Sequence, residues 1–106
     1  MLVLKPSRIH GLGVFTTAVL RVGAKLPLFM PPDWVRRTKP PIAVARRWGQ
    51  PAQGGGWWIP RNPNRMCIGW HLNHADKPNV DGNSCTALRR IAAGEELLID
   101  YRALHD

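Results

Sequence analysis

The chain has 106 residues and carries 15 Lys and Arg against 7 Asp and Glu, a formal net charge of +8. That length allows one domain with a modest core, 44% hydrophobic content argues against a disordered basic tail, and two cysteines, Cys67 and Cys85, are too few for a disulfide scaffold. No apolar run is long enough to cross a bilayer, and Met1 to Pro6 lacks the apolar stretch of a signal peptide, so the expectation is a cytoplasmic protein with no membrane partner.

In chain order, Leu2-Val3-Leu4 is a short apolar run closed by Pro6, which predicts a first strand. Gly11 to Thr17 sets a turn glycine before β-forming residues and predicts a second. Leu26-Pro27-Leu28-Phe29 reads as a third, its proline marking an edge or a bend. From Pro31 to Pro63 prolines recur, and the single element predicted early in that stretch is a short helix, Ile42 to Trp48, with Pro41 near its first turn. Gly54-Gly55-Gly56 connects to a brief strand, Trp57-Trp58-Ile59. Cys67 to Leu72 is apolar and leads into a polar turn, Asn73 to Asn83. Cys85 to Ile91 and Leu97 to Tyr101 are the last two predicted strands, joined by a turn at Ala92-Ala93-Gly94. Ten Gly and ten Pro exclude a helical bundle. The expected class is mostly β, with little helix and no internal repeat.

The charge is uneven. Residues 1–75 hold eleven Lys and Arg against one acid, Asp33, whereas residues 76–106 hold four against six. A basic field attracts polyanions, so nucleic-acid binding is one functional alternative. It rests on charge alone, since no nucleic-acid-binding signature is present.

Three motifs carry chemistry. Gly11-Leu12-Gly13 allows close backbone approach to a ligand, and no long helix follows it, which excludes a dinucleotide-binding loop. Asn73-His74, followed by Pro78-Asn79, is a polar, rigid segment whose amides and imidazole need partners if buried. Gly94-Glu95-Glu96-Leu97-Leu98-Ile99-Asp100-Tyr101 is a turn, two acids, an apolar strand, then an acid and an aromatic. Adjacent strand residues face opposite ways, so Glu95 and Glu96 are poor partners for acid/base work, and one is expected to be a solvated charge. Cys67, His71, His74 and Cys85 are ligand types for zinc, but their spacing matches no common finger, and no metal is expected.

Taken in order, Gly-x-Gly-Val-Phe, Asn-His-x-x-x-Pro-Asn and Gly-Glu-Glu-Leu-x-x-Asp-Tyr resemble the SET domain of protein lysine methyltransferases. The likeness covers about residues 7–29 and 66–101, and residues 30–65 read as the variable insert of that family. The resemblance implies a single SET-like domain over 1–106: several short curved sheets with a C-terminal pseudoknot, and no zinc module after it. It implies transfer of a methyl group from S-adenosylmethionine to the lysine of a protein or peptide substrate. Gly11, Leu12, Gly13, Asn73, His74 and Tyr101 would hold the cofactor, His74 mainly through its backbone, with Tyr101 also the catalytic residue beside the methyl. Members commonly carry further channel tyrosines. Here Tyr101 is the only tyrosine, and Phe29, Trp57 and Trp58 are the aromatics available to line the channel, which predicts methylation beyond the first methyl. The short tail after Tyr101 predicts a homodimer that completes the site. A non-catalytic SET-like module that binds peptide or cofactor is the other alternative.

Overall fold

The computed structural model describes residues 1–29, 33–62 and 64–104. Met30, Pro31, Pro32 and Pro63 of the expected insert, and His105 and Asp106 of the tail, lie outside the described residues. The strands are β1 (Leu2–Pro6), β2 (Leu12–Thr16), β3 (Trp34–Arg37), β4 (Gln50–Pro51), β5 (Trp57–Pro60), β6 (Asn73–His74), β7 (Val80–Asp81), β8 (Thr86–Ala87) and β9 (Glu96–Ile99). The one α-helix, α1, spans Ile42–Trp48, and single 3-10 turns cover Ile68–His71 and Tyr101–Ala103.

The strands form three small sheets, ordered β1-β2-β9-β6, β3-β5-β4 and β7-β8. In the first, β1 and β2 make a hairpin, and β9 pairs antiparallel with β2 through Val14↔Leu97. On its other edge β9 runs parallel to β6, with Asn73 opposite Leu98 and His74 opposite Ile99. The segment after β6 is fastened to β9 as well. Ala75 N–H donates to the Ile99 carbonyl (2.9 Å) and Asn79 N–H to that of Leu98 (3.1 Å). The Asn79 side chain then accepts from Leu98 N–H (2.7 Å) and donates to the Glu96 carbonyl (2.8 Å). The last strand is thus enclosed between the second strand and residues 73–79, the arrangement expected of the C-terminal pseudoknot.

Burial explains why β9 takes the middle. Its Leu97 and Ile99 alternate into a core with Val14, Leu26, Leu28, Leu72, Val80, Ala87 and Ile91. The β3-β5-β4 sheet with α1 stands apart. Its buried Ala52 and Ile59 are not part of that cluster, and α1 packs on β5.

Local structure departs from the sequence expectation in several places, among them Val80–Asp81, a strand inside the expected polar turn, and the four that follow. Leu26 to Phe29 is not a strand: Pro27 cannot donate to a ladder, Leu28 N–H turns back to the Leu26 carbonyl (2.8 Å), and one bridge, Lys25↔Thr86, remains. Trp34–Arg37 is a strand despite its proline surroundings, because β5 offers a partner in register from Trp34↔Pro60 to Arg37↔Trp57. Cys85 to Ile91 shortens to β8, since Cys85 has φ +56, outside the extended region. Asn73-His74 is a strand rather than part of a turn, through its distant partner β9.

Candidate active site

The β1–β2 turn is closed by Ser7 N–H to the Gly11 carbonyl (2.8 Å), with Gly11 at φ +46. Two residues on, Gly13 lies so close to β9 that an added Cβ would overlap the Glu96 carboxylate and approach Asn73 Nδ2 to 3.1 Å. The absent side chain lets three segments meet. Asn73, 7% exposed, donates from its amide to the carbonyls of His10 (3.1 Å) and Leu12 (3.2 Å) and to Glu96 Oε2 (2.8 Å). Ser7 Oγ donates to the same carboxylate at 2.8 and 2.9 Å. Glu96 is therefore a hub joining the glycine turn to the asparagine motif, not a solvated charge. Glu95 faces away, accepts from Arg89 (2.8 Å) and caps Ala92 N–H (3.0 Å). Its carboxyl lies below the ordinary range, first through the Arg89 hydrogen bond.

The sequence conceals the role of Glu96 because two adjacent acids look like surface charge. The usable signal is the β alternation: with Leu97 and Ile99 in the core, Glu96 must face the same side as Leu98, toward Asn73.

Next to this cluster stands Tyr101. Its backbone N–H donates to His74 Nδ1 (3.1 Å), which fixes that nitrogen as the acceptor, and its hydroxyl donates to the Leu72 carbonyl. The two rings lie 5.3 Å apart. His74 Nε2 faces Asp76 Oδ1 at 3.3 Å. Asp100 caps the turn that carries Tyr101 by accepting from Arg102 N–H (2.9 Å), and the Arg102 guanidinium holds the Asp100 carboxyl below its usual range. Burial pushes the Tyr101 phenol above its ordinary value. Since its proton goes to Leu72, the phenol oxygen keeps lone pairs for another donor.

The tyrosine lines a cleft of about 490 Å³. Phe29, Trp34, Trp58 and Trp70 supply aromatic walls, and Cys85 and Leu104 border it as well. Among the described residues no charged side chain lines it. Phe29 meets Trp34 and Trp70 edge-on, each at 5.5 Å between ring centres. Asp33 ties the insert to this wall by accepting from Trp70 Nε1 (2.8 Å) and Cys67 N–H (2.9 Å).

Of the residues expected from sequence, Gly11, Leu12, Gly13 and Asn73 come together at the β1–β2 turn. Tyr101 and His74 stand beside each other next to that turn, and Phe29 and Trp58 share the cleft with Tyr101. Trp57, expected in the channel with Trp58, is outside it. Neighbouring strand residues alternate faces, so only one of the pair can point inward. Trp34 and Trp70 take the remaining wall. Among the described residues, no group of three or more His, Cys, Asp or Glu could hold a metal ion, and Cys67 and Cys85 are not joined in a disulfide.

No protein-family model matches the sequence, and no curated protein does. A solved structure does match the fold: a Plasmodium falciparum protein described as a "putative histone methyltransferase" is 20% identical, with a TM-score of 0.65 over 95% of this chain and 96% of that one. With the strand order above, this places the chain among SET-like folds.

Proposed function

We propose that the protein is an S-adenosylmethionine-dependent methyltransferase acting on a lysine side chain of a protein or peptide. One observation carries the reading: Tyr101 donates to His74, the chain neighbour of the Asn73 that joins the glycine turn to Glu96, and at the same time lines a cleft walled by aromatic rings. The polar junction suits a polar cofactor and the cleft an alkyl amine.

The donor and acceptor set fits the cofactor. The backbone at Gly11 and Leu12 is exposed and open, with nothing near Gly11 where a side chain would stand. Asn73 pins the neighbouring carbonyls, and the Glu96 carboxylate complements a ligand that bears a sulfonium and an ammonium. S-adenosylmethionine, when bound, supplies a methyl group on a positively charged sulfur. The chain's task is then alignment, because in-line transfer is governed by the positions of the reacting atoms.

The cleft addresses the nucleophile. A lysine ammonium is unreactive, and its free pKa is about 10.4. Walls rich in indole and phenyl rings, with no counter-charge among the described residues, disfavour the charged form, an effect that in full burial lowers the value by up to about 3–5 units. The Tyr101 oxygen, with its own proton committed to Leu72, is free to accept from the entering amine. With no second phenol among the walls, methylated amines meet indole and phenyl faces, which hold ammonium groups by cation–π attraction. The expected products are di- and trimethyllysine, and mass spectrometry showing monomethyl product alone at completion contradicts this. Leu104 borders the cleft from the same chain. The expected homodimer belongs to the proposal as the cover for the side left open, and a monomer by light scattering that retains full activity overturns that part.

The test is calorimetric titration with S-adenosylhomocysteine, joined to a radiolabelled methyl-transfer assay on cell lysate. Binding and transfer are expected, with transfer falling roughly 10²-fold in Tyr101→Phe through lost alignment. Absence of binding at millimolar ligand refutes the cofactor. Binding without transfer favours the non-catalytic alternative.

A further inference from the structure

The insert is the other unusual surface of the molecule. Residues 33–65 contain seven Lys and Arg, namely Arg36, Arg37, Lys39, Arg46, Arg47, Arg61 and Arg65, and a single acid, Asp33. All seven cations are exposed. Asp33 is turned inward and occupied by Trp70 Nε1 and Cys67 N–H. Among the described residues every Lys or Arg ion pair lies elsewhere: Arg89 with Glu95, and Arg102 with Asp76 and Asp100. Among the described residues, Arg89 and Arg102 meet carboxylates, and no Lys or Arg of the insert does.

We propose that the 33–65 unit is a nucleic-acid-binding surface, a function independent of methyl transfer. Three features suit a nucleic acid, and the exposed indole among them is what favours it over an acidic peptide. Six of the seven cations are arginines, whose planar forks match phosphate oxygens in pairs. An exposed indole stands among them: Trp57 is 38% exposed and sits opposite Arg37 in the β3–β5 ladder, on the same face. A ring of this kind stacks on a base. Two cations are held in place: Arg47 lies over the Trp48 ring at 5.1 Å, and Arg36, which alternates to the other side of β3 from Arg37, is anchored to the Gly55 carbonyl at 3.0 and 2.6 Å. Cations so held lose less freedom on meeting a phosphate chain.

A nucleic-acid partner accounts for seven of the eleven Lys and Arg in residues 1–75. A basic protein tail is repelled by this surface when free, but not when a nucleic acid already neutralises both. The insert would then bring the cleft to lysines of proteins that sit on nucleic acid.

The experiment is fluorescence anisotropy of the full chain with labelled 20-nucleotide single-stranded and duplex DNA across a salt series. Binding is expected to weaken steeply with salt, with a log–log slope near 0.9 for each phosphate neutralised on duplex. A variant combining Arg37→Gln, Arg46→Gln, Arg47→Gln and Arg61→Gln should flatten that slope by about 0.9 for each arginine in contact. A control combining Arg8→Gln and Arg21→Gln, both exposed outside the insert, should leave it nearly unchanged, with circular dichroism showing both variants folded. The proposal fails if the control loses as much as the insert variant, because charge would then act as a diffuse field. It also fails if polyglutamate of equal charge competes as well as DNA, which would mark an acidic protein partner, or if no binding is seen at low salt. S-adenosylhomocysteine binding is measured on the same samples, so loss of the cofactor site and loss of this surface are told apart.

Discussion

Gly13 and Gly11 stand two residues apart and answer to different constraints. At Gly13 the limit is space: a methyl group collides with Glu96 and crowds Asn73. Gly13→Ala is expected to cost about 1–3 kcal/mol by overpacking and to abolish S-adenosylhomocysteine binding in the calorimeter. At Gly11 the limit is backbone alone, with φ +46 and open surroundings. Gly11→Ala is expected to cost roughly 1–2 kcal/mol and to keep the ligand. Equal loss of binding in both would mean that the Glu96–Asn73 junction does not organise the turn. Trp58 makes a different residue-scale case. Its indole Nε1 is buried with no hydrogen-bond partner among the described residues, and such a group is costly to desolvate, about 1–3 kcal/mol. Trp58→Phe removes that atom and keeps an aromatic wall. The melting temperature should hold or rise, and a clear fall would show that the N–H is satisfied in solution.

Among the elements, β9 is held by more than its sheet partners. Asn79 is 2% exposed and clamps the strand through both atoms of its amide. Asn79→Ala strands a buried Glu96 carbonyl and a Leu98 N–H, each at about 1–3 kcal/mol. Denaturant unfolding should show a loss at the upper end of what single substitutions do, and a loss below about 1 kcal/mol would mean that water takes over both groups. The same strand shows what could be read in advance. Its apolar alternation, the glycine turn and the short helix were legible because each is a local pattern. β6 was not, since two residues pair with a strand more than twenty positions away. β3 was hidden by surrounding prolines, and the supposed strand at Leu26 to Phe29 had no partner to complete it. For the site, the motifs named Gly13, Asn73 and Tyr101, while Trp34 and Trp70 came from long-range packing that no spacing encodes.

Across the whole molecule, the acid-side ion pairs make a modest pH dependence. The Glu95 carboxyl is held below its ordinary pKa, chiefly by Arg89. A group depressed in the folded state contributes fully above its unfolded pKa and loses that contribution as pH falls through the folded one. Both partners are well exposed, so the contribution is about 0.2–1 kcal/mol. Glu95→Gln should therefore reduce stability near neutrality and flatten its decline below the ordinary carboxylate range, as measured by denaturant midpoints at several pH values. An unchanged acid profile would assign the decline to other carboxylates. The enclosed position of β9 also orders events in time. Residues 96–104 are made after the rest of the candidate site, yet the hairpin and Asn73 are joined through Glu96, and the cleft gains Tyr101, only once that segment is seated. A chain made only as far as residue 95 therefore lacks both Glu96 and Tyr101, whatever else it has already folded.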